Sequence, residues 1–493
     1  MANGKKYVIS IDQGSTSTRS VIYDTNLNLI SSSQIKLDEI YPENGWVELN
    51  PNKIIESVIK STNNVIHDSG ISLSDLLSIG ITNQRETVVF WDKKNLKPYG
   101  NAISWQCLRG IKICENLKGS EFEKIFIEST GLKLDPYFSF SKIIWAIENN
   151  KEINNALKDN VLQIGTVDTW ILANLTDSKE HKIEITNASR TGLFNSKTEE
   201  WDERLLSLLN LDKSIFPSIY PSDSIFGTTK KSLFGKEIEI NAILGDQQSS
   251  LYGHKDGSHN EIKCTFGTGG FLLIDTGEKR FRYNSDFLST IAFRKKDKTM
   301  HALEGSILSA GSTLEWLKKI NVIDNFENIE NQLNTTPLND IQVIPALNGL
   351  GAPFWNGKIR ASIENINSGT TKEDIIRSAF ESIAFSTKAI IEKIEERINA
   401  PIKELKIDGG LSKSMFFCQF LSDLLNIKVK ASNNSEMTSM GVAKLAIEKL
   451  NIDYKFKNPY SNFDPIANNK NMYTNKYKNW KKLIESKIKT KEK

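Results

Sequence analysis

The chain has 493 residues, 39% of them hydrophobic and 25% charged, so it is long enough for two folded domains rather than one core. A formal net charge of +3 gives no electrostatic case for binding nucleic acid or an anionic membrane. No apolar run approaches the roughly 18 residues that span a bilayer, so no membrane span is expected.

In chain order, residues 7–12 (YVISID), 19–24 (RSVIYD) and 29–37 (LISSSQIKL) predict three short strands with polar turns, a β-meander. The start MANGKKYVISID lacks the long apolar stretch and cleavage site of a signal peptide. Residues 51–66 predict a helix opened by Pro51, with Ile54, Ile55, Val58, Ile59, Val65 and Ile66 at near-helical spacing. SIGITNQ at 78–84 reads as another strand. Four cysteines (Cys107, Cys114, Cys264, Cys418) show no CxxC or zinc-ligand spacing, which fits reduced thiols and a cytoplasmic location.

The second half repeats this grammar. KCTFGTGGFLLIDTG at 263–277 suits two strands around a glycine turn, and residues 373–398 suit a long helix with Thr371 as N-cap and Asp374 completing a capping box. LKIDGGLSKS at 405–414 echoes ISIDQGSTST at 9–18, an apolar strand ending in Asp, then glycine, then hydroxyls. An α/β protein of two related domains facing one cleft is expected, divided near 250–256 into residues 1–252 and 253–493. The basic end IESKIKTKEK at 484–493 reads as a frayed, solvated helix end.

Three short segments carry chemistry together. IDQGSTSTRS at 11–20 places Asp12 at a strand end and Ser15, Thr16, Ser17 and Arg19 beyond a glycine turn. Free N–H groups and hydroxyls at such a turn make an anion nest, and Arg19 adds fixed charge. TFGTGGF at 265–271 offers a second nest with Thr268, although neither a Walker loop nor a dinucleotide fingerprint is present. Each nest alone also fits an ordinary hydroxyl-rich hairpin or a glycine bulge. Between them lies GDQQ at 245–248, whose Asp246 is a candidate base for handing a phosphoryl group from ATP to an alcohol.

TNQRETVVFWD at 82–92 sets Arg85 beside Glu86 at a strand end. On a surface such a pair is a solvated ion pair of little consequence; in a cleft it can donate to one hydroxyl and accept from its neighbour. Tyr137 in DPYFSFSK could complete that set, or be a half-buried tyrosine before a helix. Trp105 in SWQCLR could cover the carbon side of a small alcohol, or belong to the core.

The ordered set IDQGSTSTR, GWVELNP, GITNQRET, WQCLR, DPYFS, GTVDTW, TNASRTGLFN, GDQQ, FGTGGF, LEG, AGSTLEWL, GLGAPFW and DGGLSK closely resembles the glycerol kinases of the FGGY carbohydrate kinase family, from about residue 7 to about 450. The resemblance implies two ribonuclease-H-like domains of the actin-type ATPase superfamily hinged around ATP and Mg²⁺. It also implies phosphorylation of glycerol to sn-glycerol 3-phosphate, the first step of glycerol degradation by the kinase route, in a homodimer or homotetramer. By motif, Arg85, Glu86, Tyr137, Asp246 and Gln247 would hold the hydroxyls, with Trp105 and Phe271 flanking the carbons. Ser15, Thr16, Ser17 and Arg19 would meet the phosphates, and Thr268, Gly311, Glu315, Gly410 and Ser414 the nucleotide. Asp246 would be the general base, and Asp12 with Asp246 would orient the metal.

Departures from the family pattern cluster in the second half: Glu315 stands where Gln is common, Ser414 where Asn is common, and IRASIENINSGTT at 359–371 replaces a more regular stretch. Gly110 stands where Thr is usual. They bear on nucleotide affinity more than on the reaction. Alternatives are another FGGY sugar or polyol kinase, a nucleotide-weakened non-catalytic paralogue, or an actin-type ATPase without a small-molecule acceptor. The stretch 226–248 is short, holds Lys230, Lys231 and Lys236 but no arginine or histidine, and so predicts none of the bisphosphate or phosphohistidine control met in some relatives.

Overall fold

A computed structural model describes residues 5–257, 261–326, 329–456, 458–466 and 470–492. The predicted meander is present as β1 (Tyr7–Gln13), β2 (Ser17–Asp24) and β3 (Leu29–Lys36), each antiparallel to the next. Helix α1 (Pro51–Ser69) follows; Asn50 caps its first turn by accepting from the Asn52 and Lys53 N–H groups, and Pro51 supplies a residue that needs no donor there. Then come β4 (Leu76–Asn83), β5 (Gly227–Thr228) and β6 (Glu239–Gly245), giving a six-stranded sheet in the order β5-β6-β4-β1-β2-β3. The pairings β1–β4 and β4–β6 are parallel, and their near-continuous apolar runs are buried on both faces.

Helix α2 (Asp246–His254) leads out of this sheet to β7 (Ile262–Phe266), β8 (Gly270–Gly277), β9 (Leu288–Lys295) and β10 (Lys298–Ile307). After α3 (Gly311–Lys319) and the long α4 (Lys372–Ile398) the chain forms β11 (Glu404–Gly409), α5 (Met415–Leu425), β12 (Lys428–Ser432), α6 (Met437–Lys449), β13 (Tyr460–Phe463) and α7 (Lys470–Glu492). The second sheet runs β9-β10-β8-β7-β11-β12-β13. The capping box expected at Thr371 and Asp374 opens α4.

The two halves are related, but the strand that echoes β1 in sequence is not its counterpart. In its sheet β1 forms a hairpin with β2 and runs parallel to β4. In the second sheet that pattern belongs to β7, which forms a hairpin with β8 and runs parallel to β11. The DGG segment therefore ends a β4-like strand, and TFGTGG is the true twin of IDQGST. The basic end also differs from expectation. Residues 484–492 continue α7, Ile484 is fully buried in the core of the second sheet, Ile488 packs against that core, and Lys487 pairs with Glu364 at 2.7 Å.

Helix α6 crosses back to lie on β1, β4 and β6, so the first sheet is covered by α1 on one side and by a late segment of the chain on the other. It also packs tightly on α2. A Cβ at Gly441 would stand 1.8 Å from the Ser249 carbonyl oxygen, so only glycine permits this helix crossing. Among the described residues, no helix is long and apolar enough to cross a membrane.

Candidate active site

Strand ends of both sheets meet where α2 begins. Asp246 is the first residue of α2, directly after β6, with its side chain about one-third exposed and an oxygen accepting from the Gln247 N–H. A carboxylate in the first turn of a helix is favoured by the positive end of the helix dipole. Arg85, just past β4, reaches Asp246 with Nε at 3.2 Å. Parallel pairing of β4 with β6 places Asn83 opposite Gly245, which is why residues distant in sequence meet here.

Arg85 and Glu86 are not a surface ion pair. Both are buried, and each is engaged by a different partner. Arg85 donates to Glu304 on β10 (Nη1–Oε2 2.7 Å, Nη2–Oε1 3.4 Å) and to Gln248 at 3.2 Å. Glu86, in a left-handed backbone conformation, accepts from Arg190 Nε at 2.6 Å, and Arg190 Nη2 returns to Glu304 Oε1 at 3.0 Å. Burial alone would raise the Glu304 pKa, but Arg190 and Arg85 outweigh it and hold the carboxyl at about 2. Burial keeps the Glu86 carboxyl raised despite Arg190 and Arg85. Arg190 Nη1 is buried without a hydrogen-bond partner, and its guanidinium lies 5.6 Å from the Tyr137 ring.

Tyr137 precedes the helix Ser139–Asn149 and stands edge-on to Trp105, ring centres 5.6 Å apart. Its loop is pinned from below by the fully buried Lys142, whose ammonium donates to the carbonyls of Pro136 (2.6 Å), Tyr137 (2.7 Å) and Phe138 (3.3 Å). Trp105 Nε1 donates to Ser15 Oγ at 2.9 Å, tying the aromatic pair to the first glycine turn. Gln247 accepts from the buried Lys263 at 2.7 Å, and the same ammonium donates to Thr265. Phe271, on β8, packs against the cluster that includes Leu244 and Leu251, one on each side of Asp246.

In the first turn, the Gly14 N–H closes on the Ser17 carbonyl, Thr16 is exposed, and Ser17 Oγ accepts from Gln34. Arg19 is held by Glu436 at 3.0 Å, at the start of α6. Asp12 is pushed up to about 7 by burial and by the carboxylates of Asp246 and Glu436, against the pull of Arg19. That crowding of negative charge suits a divalent cation between Asp12 and Asp246.

Thr268, Gly311 and Gly410 converge on one turn. The Ala310 and Ser312 N–H groups donate to the Thr268 carbonyl, Gly311 N–H to Gly267, and Gly410 N–H to Phe266. Glu315 is exposed one helical turn beyond Gly311 on the same face of α3. Ser414 has a structural task instead: its hydroxyl accepts from the Phe417 N–H and caps α5. Gly409, Gly410, Lys413, Asn434 and Ser435 help to line a cavity of about 510 Å³ at this end of the sheet. Behind it, His254 at the end of α2 lies 2.7 Å from Asp408, which also accepts from Ser250 at 2.8 Å.

Glu304, Arg190, Lys142 and Lys263 were given no role by the sequence reading. Glu304 and Arg190 lie in the motifs LEG and TNASRTGLFN; the available signal was a single charge inside an otherwise small or apolar run.

Residues 7–253 match the model of the N-terminal domain of the FGGY family of carbohydrate kinases, and residues 262–448 that of the C-terminal domain. The chain is 41% identical over 446 residues to a glycerol kinase of Shewanella woodyi, covering 90% of each chain. It is 39% identical over 492 residues to a glycerol kinase of a Thermoanaerobacter species, covering 98% of this chain and 99% of the relative. Among solved structures, the glycerol kinase of Plasmodium falciparum with ADP superimposes with a TM-score of 0.90 at 33% identity over 98% of both chains. A xylulose kinase of Lactobacillus acidophilus, 19% identical with a TM-score of 0.88, shares the fold. With both domain models matched in order and near-full-length relatives at this identity, the chain belongs to the FGGY family of carbohydrate kinases.

Proposed function

We propose that this chain transfers the γ-phosphoryl group of ATP to glycerol, giving sn-glycerol 3-phosphate and ADP. The observation that carries the reading is the 3.2 Å contact between Arg85 Nε and Asp246. It sets a half-open carboxylate beside a buried guanidinium, with hydroxyl-bearing glycine turns from both sheets close by. The names of the relatives support glycerol as acceptor and ATP as donor.

In this reading Arg85, Glu86, Tyr137 and Gln247 orient the hydroxyls, while Trp105 and Phe271 border the carbons. Asp246 takes the proton of the attacking hydroxyl as its oxygen bonds to the γ-phosphorus and the bond to the ADP oxygen breaks. The polar turns at Ser15–Ser17 and Thr268, with Arg19, Gly311, Glu315 and Gly410, border the nucleotide; the capping role of Ser414 limits it to positioning α5. Asp12 and Asp246 would hold Mg²⁺, which supplies charge neutralisation on the phosphates.

The domain division at 252/253, a cytoplasmic location and a homodimer or homotetramer belong to the same proposal. The gap between the two matched family models, 253 to 262, supports the division.

A coupled assay of ADP release with glycerol, xylulose, ribulose and gluconate tests the acceptor. Turnover with glycerol far above the other three is expected. Preference for a sugar would replace glycerol by that acceptor, and no acceptor-dependent turnover would leave a nucleotide-weakened paralogue.

A further inference from the structure

We infer that Glu304 and Arg190 are positioning residues for the acceptor site, and that through Glu304 the second domain holds the acceptor-binding pair in place. The inference rests on the acceptor role proposed for Arg85 and Glu86. Four charged side chains form a closed ring: Arg85 to Glu304, Glu304 to Arg190, Arg190 to Glu86. All four are buried, and their charges sum to zero. Three of them come from the first domain's loops, whereas Glu304 lies on β10 of the second sheet.

The geometry divides labour. Glu304 takes both Nη groups of Arg85, which leaves Nε directed at Asp246. Arg190 takes one oxygen of Glu86, which leaves the other free to accept from a substrate hydroxyl. Glu86 stands at φ 61°, a conformation that a glutamate holds only when its surroundings impose it, and the Arg190 contact is part of that imposition. A planar guanidinium can bridge two carboxylates at once; an ammonium at position 190 could not do so with the same geometry. Acceptor affinity therefore depends on where the second domain sits, since displacing β10 would release Arg85 from Glu304. Arg85 could then collapse onto Asp246 and occlude the acceptor.

The test measures glycerol and ADP binding separately by titration calorimetry in Glu304→Gln and Arg190→Lys, with thermal unfolding recorded for each. Arg190→Lys keeps the buried charge, so it decides the matter if Glu304→Gln fails to fold. We expect glycerol affinity to fall about 10- to 100-fold, the size of losing a charge-assisted hydrogen bond, with ADP affinity within about twofold of wild type. Glycerol affinity within twofold of wild type in a folded variant would overturn the inference. So would parallel losses for glycerol and ADP, which would mean a purely structural role. If wild type binds another polyol of the acceptor panel and not glycerol, the acceptor assignment fails by itself, and the same comparison is made with that polyol.

Discussion

The ammonium of Lys142 donates to the carbonyl of Tyr137 at 2.7 Å, and to the carbonyls on either side of it, from a site with no exposure to solvent. Burial lowers the Lys142 pKa to about 8, and the three carbonyls take the place of water around the charge. An entire loop is thus gathered around one cation, and the phenol that the loop presents faces Trp105 and Arg190.

Lys142→Met should therefore loosen the Tyr137 loop without touching the nucleotide side. The expected result is a glycerol KM raised roughly tenfold with the ATP KM little changed, since hydrogen bonds to a charged group contribute about 1.5–3 kcal/mol. Steady-state kinetics with each substrate varied in turn checks this. Equal changes in both KM values would mean that Lys142 supports the whole domain rather than the loop.

Glu315→Gln should tighten ADP binding. Glu315 is exposed, one turn along α3 from Gly311, and a carboxylate there repels a polyanionic ligand. Titration calorimetry with ADP gives the sign. Weaker binding in the variant would make Glu315 an acceptor for an adenine or ribose donor.

Gly441→Ala should destabilise the protein and lower activity together. The added methyl would meet the backbone oxygen of Ser249, which cannot swing aside, so α2 and α6 must separate. Overpacking typically costs about 1–3 kcal/mol, and α2 carries Asp246 at its first position. Denaturant unfolding and kcat measured on the same preparation check this; an unchanged midpoint would show that the crossing can relax.

Much of the architecture was legible because it follows from short-range rules. The meander, the helix opened by Pro51 and the capping box at Thr371 each depend on residues within a few positions of one another. What the sequence concealed depends on pairing across the chain. Arg85 beside Glu86 suggests an ion pair, yet adjacent residues point apart, and their partners lie 219 and 104 positions away. The echo between the two Asp-Gly segments misled for a related reason: identical turn chemistry ends strands in different sheet positions, and only the pairing of β7 identifies the twin of β1. Ser414 looked like a ligand-facing substitution, while its hydroxyl is used by the backbone of α5. Gly110 has a packing reason, because a Cβ there would lie 2.3 Å from Ser141 Oγ.

The central claim is that Asp246 accepts the proton of the attacking hydroxyl, and Asp246→Asn in the coupled ADP-release assay with saturating glycerol and ATP tests it most directly. The amide keeps the shape of the carboxylate and can still hydrogen-bond, but it cannot take the proton. The account predicts that kcat falls roughly 10²–10⁴-fold while glycerol binding by calorimetry persists. A variant turning over within threefold of wild type would contradict it.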